Sequence, residues 1–308
     1  MVLVCGDPYE AVTAFLCSRL TMLKFDHQVL DLGRFPQEYA LEGVWNGEQP
    51  HGLISAAHWQ VEFDQLTGVY FRNVSADDSV GQKEDTETID RPYPVTNPRI
   101  SAVLNSLPCR VVNRPASMHS NRSKPYQALI IRGFGFKIPK TLITNDPEAA
   151  RGFCDECEGK VICKSITGIR STVRRMTREE FERLEFPEHC PAQFQEYLPG
   201  DNIRVHVIGE RVFAVRIHCD AVDYRYSGAE GYARTMIPET LTEDVVTNCI
   251  RLTKELGLSM SGIDLKETPA GELYCFEVNT SPAFPFYESV ARPVIADALA
   301  EYLAERGG

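Results

Sequence analysis

The stretch CFEVNTSPAF, residues 275–284, ends an apolar run at an acid, an amide and a proline. Glu277 and Asn279 stand two residues apart, so on a strand both side chains would project from one face. The preceding strand carries Asp264, and a hairpin turning at residues 269–271 would bring Asp264 beside Glu277. Two carboxylates and an amide oxygen suit Mg²⁺, with Mn²⁺ as an alternative, better than zinc, and such carboxylates repel without a cation. Taken alone, the pattern is more typical of a strand end with a surface acid.

Two lysines occupy positions from which an ammonium group could hold phosphate oxygens. Lys164 ends the strand VICK, and Lys124 lies in the first turn of a predicted helix. A cation there opposes the helix dipole, so Lys124 indicates either a bound anion or plain solvent exposure. The segment after Lys164 adds hydroxyl groups and backbone amides that could contact phosphate, at Ser165, Thr167, Gly168 and Ser171. Either lysine alone is more typical of an ordinary surface.

A third candidate is the strand QFQEYL, which stops at Pro199. Backbone groups at such a strand end, among them those of Gln195 and Leu198, can read the edge of an adenine base. Glu196 could accept a hydrogen bond from the adenine amino group, and Asp201 could accept from ribose hydroxyls. Without its context, the stretch fits equally well an edge strand that turns polar side chains outward.

Arginines mark the next predicted hairpin, residues 203–218, which turns at Gly209-Glu210. A three-residue loop would place Arg204 and Arg216 on one face, whereas a two-residue loop would place them on opposite faces. Because guanidinium groups bind carboxylates and phosphates through paired hydrogen bonds, we expect this hairpin to grip the substrate or the transferred phosphoryl group. The same charges also fit salt bridges on a hairpin surface.

Alternating strands and helices are needed to bring these residues together. The chain opens as strand, helix and strand (VLVCG, YEAVTAFLCSRLTML, QVLDL), and HGLISA and TGVYFR are further strand candidates. One helix follows the caps of SNRSKPYQ and ends at Gly133, and another begins at Asp146 and Pro147. LTEDVVTNCIRLTKELGL has the apolar stripe of an amphipathic helix, and the last helix begins near Tyr287 and runs to the C-terminus. The pattern predicts an α/β chain of two or three subdomains.

Composition and charge limit the class of protein. The 308 residues carry a net charge of −11, which argues against a general nucleic-acid surface. The N-terminus lacks the features of a signal peptide, and no stretch approaches the length of a membrane span. Ten cysteines, mostly in apolar runs, predict reduced thiols in the cytoplasm. Cys154, Cys157 and Cys163 come nearest to a metal cluster but lack a second ligand pair, and the acidic stretch 76–91 indicates a solvated loop.

The order of these features carries more information than any one of them. SNRSKPYQ, VICKSITG, FQEYLPG, NIRVHVIGERVFA, GIDL and FEVNTSP follow one another over about 150 residues. This order resembles the ATP-grasp superfamily, and within it the RimK-type ligases and the graspetide (microviridin-like) peptide ligases. The segment DYR, residues 223–225, resembles the Asp-x-Arg segment with which graspetide synthetases contact substrate peptides, although amino-acid ligases have a similar DFR. Three stretches depart from the pattern. Asn202 stands where the usual Asp-x-Arg has its aspartate, and Gly168 is the only glycine of the phosphate-covering loop, where many relatives have several. Residues 280–288 read TSPAFPFYE, unlike the tails of the microviridin-type enzymes.

The resemblance implies an α/β chain with the ATP-grasp fold, in which two α+β lobes clasp ATP. A small N-terminal α/β domain would span residues 1–95, the central lobe 96–190 and the C-terminal lobe 191–308. The implied site residues are, for ATP, Lys124, Lys164, Ser165, Gly168, Gln195, Glu196, Leu198 and Asp201; for Mg²⁺, Asp264, Glu277 and Asn279; for catalysis, Arg204 and Arg216; and for the substrate, Asp223, Arg225 and Ser281.

The implied activity is ATP-dependent ligation through an acyl phosphate. The γ-phosphoryl group would pass to a carboxylate of a peptide or protein, and an amine or hydroxyl would then form an amide or ester. Two alternatives stay open: a ligase of small molecules, and a non-catalytic nucleotide-binding module of the same fold. We also expect a homodimer, because relatives often oligomerise.

Overall fold

A computed structural model of the protein describes residues 1–47, 49–72, 98–164, 166, 173–185, 190–224, 228, 231–291 and 295–306. The acidic stretch 76–91 lies outside the described residues, as do Ser165, Thr167, Gly168, Ser171 and Arg225. None of the helices in the described part of the chain has the length and apolar character needed to span a bilayer.

The N-terminal part of the chain builds a parallel sheet and a small antiparallel sheet. Its elements are β1 (Val2–Gly6), α1 (Ala11–Met22), β2 (His27–Asp31), β3 (Tyr39–Val44), β4 (His51–Ala56), β5 (Trp59–Glu62), β6 (Gly68–Phe71), α2 (Pro98–Ser106) and β7 (Arg110–Val112). The parallel sheet has the order β2-β1-β6-β7, and β3, β4 and β5 form the antiparallel one. Strands β1 and β6 are buried throughout, as expected of a parallel sheet covered on both faces. Because β7 completes this sheet, the first sheet extends beyond residue 95.

The central part of the chain forms a second sheet, which is antiparallel. After a 3-10 helix (Pro115–Arg122) its elements are α3 (Lys124–Arg132), β8 (Thr141–Thr144), α4 (Pro147–Glu156), β9 (Val161–Lys164), β10 (Arg174–Met176), α5 (Arg178–Glu182) and β11 (Ala192–Glu196). The strand order is β10-β9-β11-β8. The capping predictions are confirmed, since Asp146 accepts a hydrogen bond from the Glu148 amide, with Pro147 at the first helical position.

The C-terminal part forms a five-stranded antiparallel sheet. Its elements are β12 (Asp201–Ile208), β13 (Arg211–Cys219), β14 (Arg234–Glu239), α6 (Glu243–Glu255), β15 (Met260–Glu267), β16 (Leu273–Asn279), α7 (Pro285–Ala291) and α8 (Ile295–Ala304). The strand order is β14-β13-β12-β15-β16. Where the sequence predicted a single final helix, the structure describes α7 and α8, and residues 292–294 lie outside the described residues.

Helices pack on both faces of the five-stranded sheet. On one face, α6 places Cys249 and Leu252 against a core that includes Val205 and Ile263. On the other face, α8 shares a core with Ile208, at the end of β12, and with β1 of the first sheet. The approach is close: a Cβ atom at Gly68 of β6 would lie 2.5 Å from the Leu303 carbonyl oxygen. This shared core fixes the first sheet relative to the strands that carry Asp264 and Glu277.

Candidate nucleotide and metal site

The hairpin of β15 and β16 brings the three predicted oxygen donors into contact. Asp264 lies directly opposite Glu277, and Asn279 lies opposite Gly262, so all of these positions share one face of the sheet. The Asn279 amide nitrogen donates to Asp264 Oδ2 at 3.0 Å and lies 3.5 Å from Glu277 Oε1. The predicted proximity of Asp264 to Glu277 is therefore confirmed.

Arg204 supplies a buried positive charge to this cluster. It lies opposite Asp264 on the neighbouring strand β12, and its Nη1 donates to Asp264 Oδ1 at 2.6 Å. The guanidinium group passes over Gly262, where a Cβ atom would come within 2.2 Å of Arg204 Nη2. Burial alone would lower the pKa of Arg204, but the neighbouring carboxylate of Asp264 raises that pKa above its usual value. Arg204 is therefore a permanent cation with a fixed orientation.

An aromatic ring lies against Arg204, and further aromatic side chains contact that ring. The guanidinium carbon of Arg204 lies 5.7 Å from the centre of the Tyr287 ring. The hydroxyl groups of Tyr287 and Tyr224 form a 2.9 Å hydrogen bond. The ring of His206 lies 5.1 Å from the Tyr287 ring. Burial, and next the charge of Arg204, lower the pKa of His206 well below its usual value. His206 is therefore neutral at physiological pH, so of Arg204 and His206 only Arg204 carries a positive charge.

The donor set fits a hard divalent cation such as Mg²⁺. Asp264 and Glu277 offer carboxylate oxygens from paired positions, and Asn279 offers an amide oxygen two residues along the same face. The Asn279 amide turns its nitrogen toward both carboxylates, so its oxygen would face a cation only after the amide group rotates by half a turn. The three side chains that would hold the metal are thus already adjacent.

Helix α3 is anchored to the metal-ligand strand by a residue that the sequence did not single out. Gln127 donates to the Val278 carbonyl at 2.7 Å and accepts from the Val278 amide at 3.0 Å. Val278 lies between Glu277 and Asn279, so one glutamine side chain satisfies both backbone groups at that point. Lys124 opens the same helix three residues earlier, on the same side. The spacing of Lys124 and Gln127 was the available signal, but a helical glutamine is usually a surface residue.

Lys164 of the central sheet faces the last strand of the C-terminal sheet. Its Nζ lies 6.0 Å from the centre of the Phe276 ring. Phe276 is the extra residue of a bulge in β16, because Asp264 pairs with Glu277 whereas Leu265 pairs with Cys275. The ring of this bulge residue, which directly precedes Glu277, is therefore near a lysine of the central sheet. Lys164 is thereby brought to the strand that carries Glu277, as the sequence interpretation required.

The residues predicted to contact adenine, Gln195–Leu198 (here called the hinge segment), are partly occupied by protein contacts. Gln195 is buried and donates to Thr141 Oγ1 at 3.2 Å, while its side-chain oxygen has no hydrogen-bond partner among the described residues. Glu196 Oε1 accepts from the Lys140 amide at 2.7 Å. The Leu198 carbonyl accepts from Lys266 Nζ at 3.2 Å. Of these groups, the Gln195 oxygen offers an unused acceptor on the face of the central sheet that also carries Lys164.

Two predicted residues lie on the other face of the five-stranded sheet. The turn at Gly209-Glu210 has two residues, with Ile208 paired to Arg211, which settles the open register and places Arg216 opposite Ile203. Arg216 binds Glu239 and Glu267 through distances of 2.5 and 2.8 Å. The catalytic role predicted for Arg216 is corrected on this ground, because side chains on neighbouring strand positions alternate between faces.

Asp201 shares that far face and needs the same correction. Its two carboxylate oxygens contact His218 Nδ1 at 2.9 Å and Arg216 Nη1 at 3.4 Å. Arg204 lies three positions after Asp201 along the strand, so their side chains project in opposite directions. The ribose contact predicted for Asp201 has no support from this arrangement, which instead makes Asp201 part of an ion-pair network.

The residues predicted to contact the substrate, Asp223, Arg225 and Ser281, differ from one another in their surroundings. Asp223 is buried, and Arg225 lies outside the described residues. The Ser281 hydroxyl accepts a hydrogen bond from Arg72 Nη1 at 2.9 Å, and Arg72 Nη2 pairs with Glu10 at 3.0 Å. Arg72 follows β6, so it joins the end of the first sheet to the segment just after Asn279. Sequence reasoning did not identify Arg72, since it lies more than 200 residues from its partner.

A model of the ATP-grasp domain matches residues 120–283, more than half of the chain. The chain belongs to the ATP-grasp family. The matched range contains Lys124, Lys164 and the Asp264–Asn279 hairpin. The predicted fold class is therefore confirmed.

Curated relatives of this ATP-grasp chain are distant in sequence. Human N-acetylaspartylglutamate synthase A is 26% identical over 209 residues, covering 65% of this chain and 53% of the relative. A probable alpha-L-glutamate ligase of Shewanella denitrificans is 27% identical over 202 residues, covering 62% of this chain and 68% of the relative. The chain spans about half the length of the first of these proteins.

Solved structures extend the likeness to the whole ATP-grasp chain. The ATP-grasp ligase PsnB complexed with precursor peptide PsnA2 and AMPPNP is 27% identical, with a TM-score of 0.75, and the match covers 98% of this chain and 96% of PsnB. PsnB with a phosphomimetic variant of a minimal precursor, Mg and ADP gives a TM-score of 0.76 at 27% identity, covering 98% and 97%. The N-terminal sheet, which the family model does not reach, is therefore included in the structural likeness.

The cysteines of this ATP-grasp chain are free thiols. Cys154 lies in the core of the central lobe, and Cys157 and Cys163 pack against it. Burial raises the pKa of each of these three thiols. Their surroundings are those of apolar packing residues rather than reactive thiolates.

Proposed function

We propose that the protein is an ATP-dependent ligase that joins a carboxylate to an amine or hydroxyl of a peptide or protein. The γ-phosphoryl group passes from ATP to the carboxylate, giving an acyl phosphate and ADP. The nucleophile then attacks the acyl carbon, its proton is lost, and phosphate leaves as the amide or ester forms. This is the chemistry that the resemblance to graspetide-type and RimK-type ligases implies.

The observation that carries this proposal is the contact between Arg204 and the cluster of Asp264, Glu277 and Asn279. The Asp264 carboxylate, which would hold a cation together with Glu277 and Asn279, lies 2.6 Å from the buried Arg204 guanidinium group. A polyphosphate with its metal needs both signs of charge in one place, and so does a phosphoryl group in transfer. An acidic surface patch would have no need of the buried arginine.

Each residue has one task in this proposal. Lys124 and Lys164 hold phosphate oxygens, and the segment at Gln195–Leu198 holds the adenine base. Arg204 stabilises the charge that develops on the transferred phosphoryl group, since its orientation is fixed before substrate arrives. Mg²⁺, or Mn²⁺ in its place, would supply further neutralisation of the phosphates when bound by Asp264, Glu277 and Asn279.

The proposed substrate is a peptide, with the segment at Asp223–Arg225 and Ser281 as its predicted contacts. PsnB, whose structure matches nearly the whole chain, was solved with a precursor peptide, which supports a peptide here. The proposal includes a homodimer in the cytoplasm, where the free cysteines would stay reduced.

A second candidate is addition of a free amino acid to a carboxylate. The curated relatives favour it, because their names describe glutamate ligation and N-acetylaspartylglutamate synthesis. The two candidates share the first chemical step and differ only in the nucleophile.

Mass spectrometry of a candidate peptide separates these possibilities. The protein is incubated with ATP, Mg²⁺ and a peptide encoded beside its gene, with and without free glutamate. Loss of one water mass per bond supports cross-linking within the peptide, and gain of residue masses supports amino-acid addition. ADP release that no peptide, amino acid or small carboxylate stimulates would contradict ligation.

A further inference from the structure

Three lysine or arginine side chains are buried among the described residues: Arg72, Arg204 and Lys266. Arg72 pairs with Glu10 and Arg204 pairs with Asp264, so each arginine has a carboxylate partner. Lys266 is only 8% exposed, yet no described carboxylate lies within ion-pair distance of its amino group. Its hydrogen bond goes to the neutral Leu198 carbonyl, at 3.2 Å. A buried charge without an ion-pair partner is costly, so Lys266 would be stabilised by an anion that the described part of the chain does not place within ion-pair distance.

The location of Lys266 indicates which anion that is. It stands two residues after Asp264 on β15, so both side chains project from the same face of the sheet. Its amino group lies 5.8 Å from the Tyr197 ring and 6.0 Å from the Phe276 ring. Lys164 lies 6.0 Å from that same Phe276 ring. Lys266 is thus placed between the carboxylate cluster and the hinge segment that includes Tyr197 and Leu198.

We propose that Lys266 is a nucleotide-binding residue whose ammonium group contacts the α-phosphate of ATP. This inference rests on the proposed function, which places the base at the hinge and the terminal phosphates at Asp264. Asp264 and Lys266 are two strand residues, or ~7 Å, apart. The α-phosphate, which is the phosphate nearest the base, would lie within that interval. The Leu198 carbonyl holds one of the three ammonium donors, which leaves two for phosphate oxygens.

Lys266 would therefore have two linked effects. It would neutralise the α-phosphate, to which neither carboxylate of the cluster can contribute. It would also tie the hinge to the nucleotide, because the same amino group already contacts the Leu198 carbonyl. A purely structural lysine would have only the hinge contact, and its loss would affect every adenine ligand equally.

The test compares nucleosides that differ only in phosphate, bound to the full chain with Mg²⁺ present. Lys266→Met keeps the length of the side chain and removes the charge, Lys266→Arg keeps the charge, and Lys254→Met is the exposed-lysine control. Dissociation constants for adenosine, AMP and ADP are obtained by displacement of a fluorescent ATP analogue. We expect Lys266→Met to weaken AMP and ADP by about 10- to 100-fold and to leave adenosine unchanged. Lys266→Arg should retain most of the affinity.

Several outcomes would overturn the inference. Equal weakening of adenosine and AMP would make Lys266 a hinge residue, and unchanged AMP and ADP affinity would remove it from the site. A melting temperature of the ligand-free Lys266→Met variant well below that of wild type would indicate a structural role, because removal of an uncompensated buried charge should not destabilise the fold. If the wild-type chain binds no adenine nucleotide, the proposed function fails as well, which distinguishes the two failures.

Discussion

Gln127 and Val278 form a reciprocal pair in which one side chain satisfies both backbone groups of a residue 151 positions away. The pair fixes helix α3, with Lys124 at its start, against the strand segment that carries Glu277 and Asn279. Two parts of the proposed site that are far apart in sequence are thereby held together by a buried amide.

Replacing Gln127 with leucine should cost about 2–4 kcal/mol of unfolding free energy, because the Val278 amide and carbonyl would be left buried without partners. The midpoint and slope of urea unfolding measure this cost. Gln60→Leu, at an exposed strand position, is the control and should have little effect. Equal stability of the Gln127 variant and wild type would mean that water replaces the side chain at Val278.

Substitution by methionine should lower the rate of ADP formation at Arg204 but not at Arg216. Arg204→Met removes the cation beside Asp264 and should lower the rate of ADP formation by about 10²–10³-fold. Arg216→Met removes a cation from the far face, where Glu239 and Glu267 bind it, and should leave the rate near that of wild type. Single-turnover measurements below the melting temperature of both variants would decide this. A larger loss for Arg216→Met would restore the original assignment.

His206 should make the fold sensitive to acid. Burial and the charge of Arg204 hold the pKa of His206 well below its usual value, so the folded chain binds this proton less readily than the unfolded chain does. The resulting stability is complete above the unfolded pKa of about 6.5, and it should fall by about 1.4 kcal/mol per pH unit below that value. His206→Phe, which keeps a ring beside Tyr287, should remove this contribution.

Urea unfolding between pH 7 and pH 5 measures the difference. His58→Gln, at an exposed position, is the control and should retain the wild-type pH dependence. An unchanged slope in the His206→Phe variant would mean that His206 takes up a proton in the folded state.

The sequence predicted the hairpin of β15 and β16 well because local sequence features specify that hairpin. The turn at residues 269–271 and the alternation of SGIDLKE with YCFEVN define which residues face one another, and Asp264 indeed lies opposite Glu277. The arginine hairpin was left open, because a change of one residue in loop length reverses every side chain. Gly209 adopts a positive φ of 57°, which fits the two-residue turn that places Arg204 and Arg216 on opposite faces.

Other features could not be read from local patterns. Strand β3 is mostly exposed and carries a weak alternation, so the small sheet that it forms with β4 and β5 was not predicted. Gln127, Arg72 and Lys266 are residue types that usually lie on surfaces, and their burial depends on partners elsewhere in the chain. Such residues are recognisable only after the sheets are in place.

The most direct test of the account is the rate of Mg²⁺-dependent ADP formation by Asp264→Asn and Glu277→Gln. Both substitutions keep side-chain volume and remove one charge from the cluster, whereas Glu267→Gln, on the far face of β15, is the matched control. We predict a loss of at least about 10²-fold for the first two variants and a near wild-type rate for the control. Near wild-type ADP formation by both Asp264→Asn and Glu277→Gln would contradict the assignment of this cluster to the metal and the nucleotide.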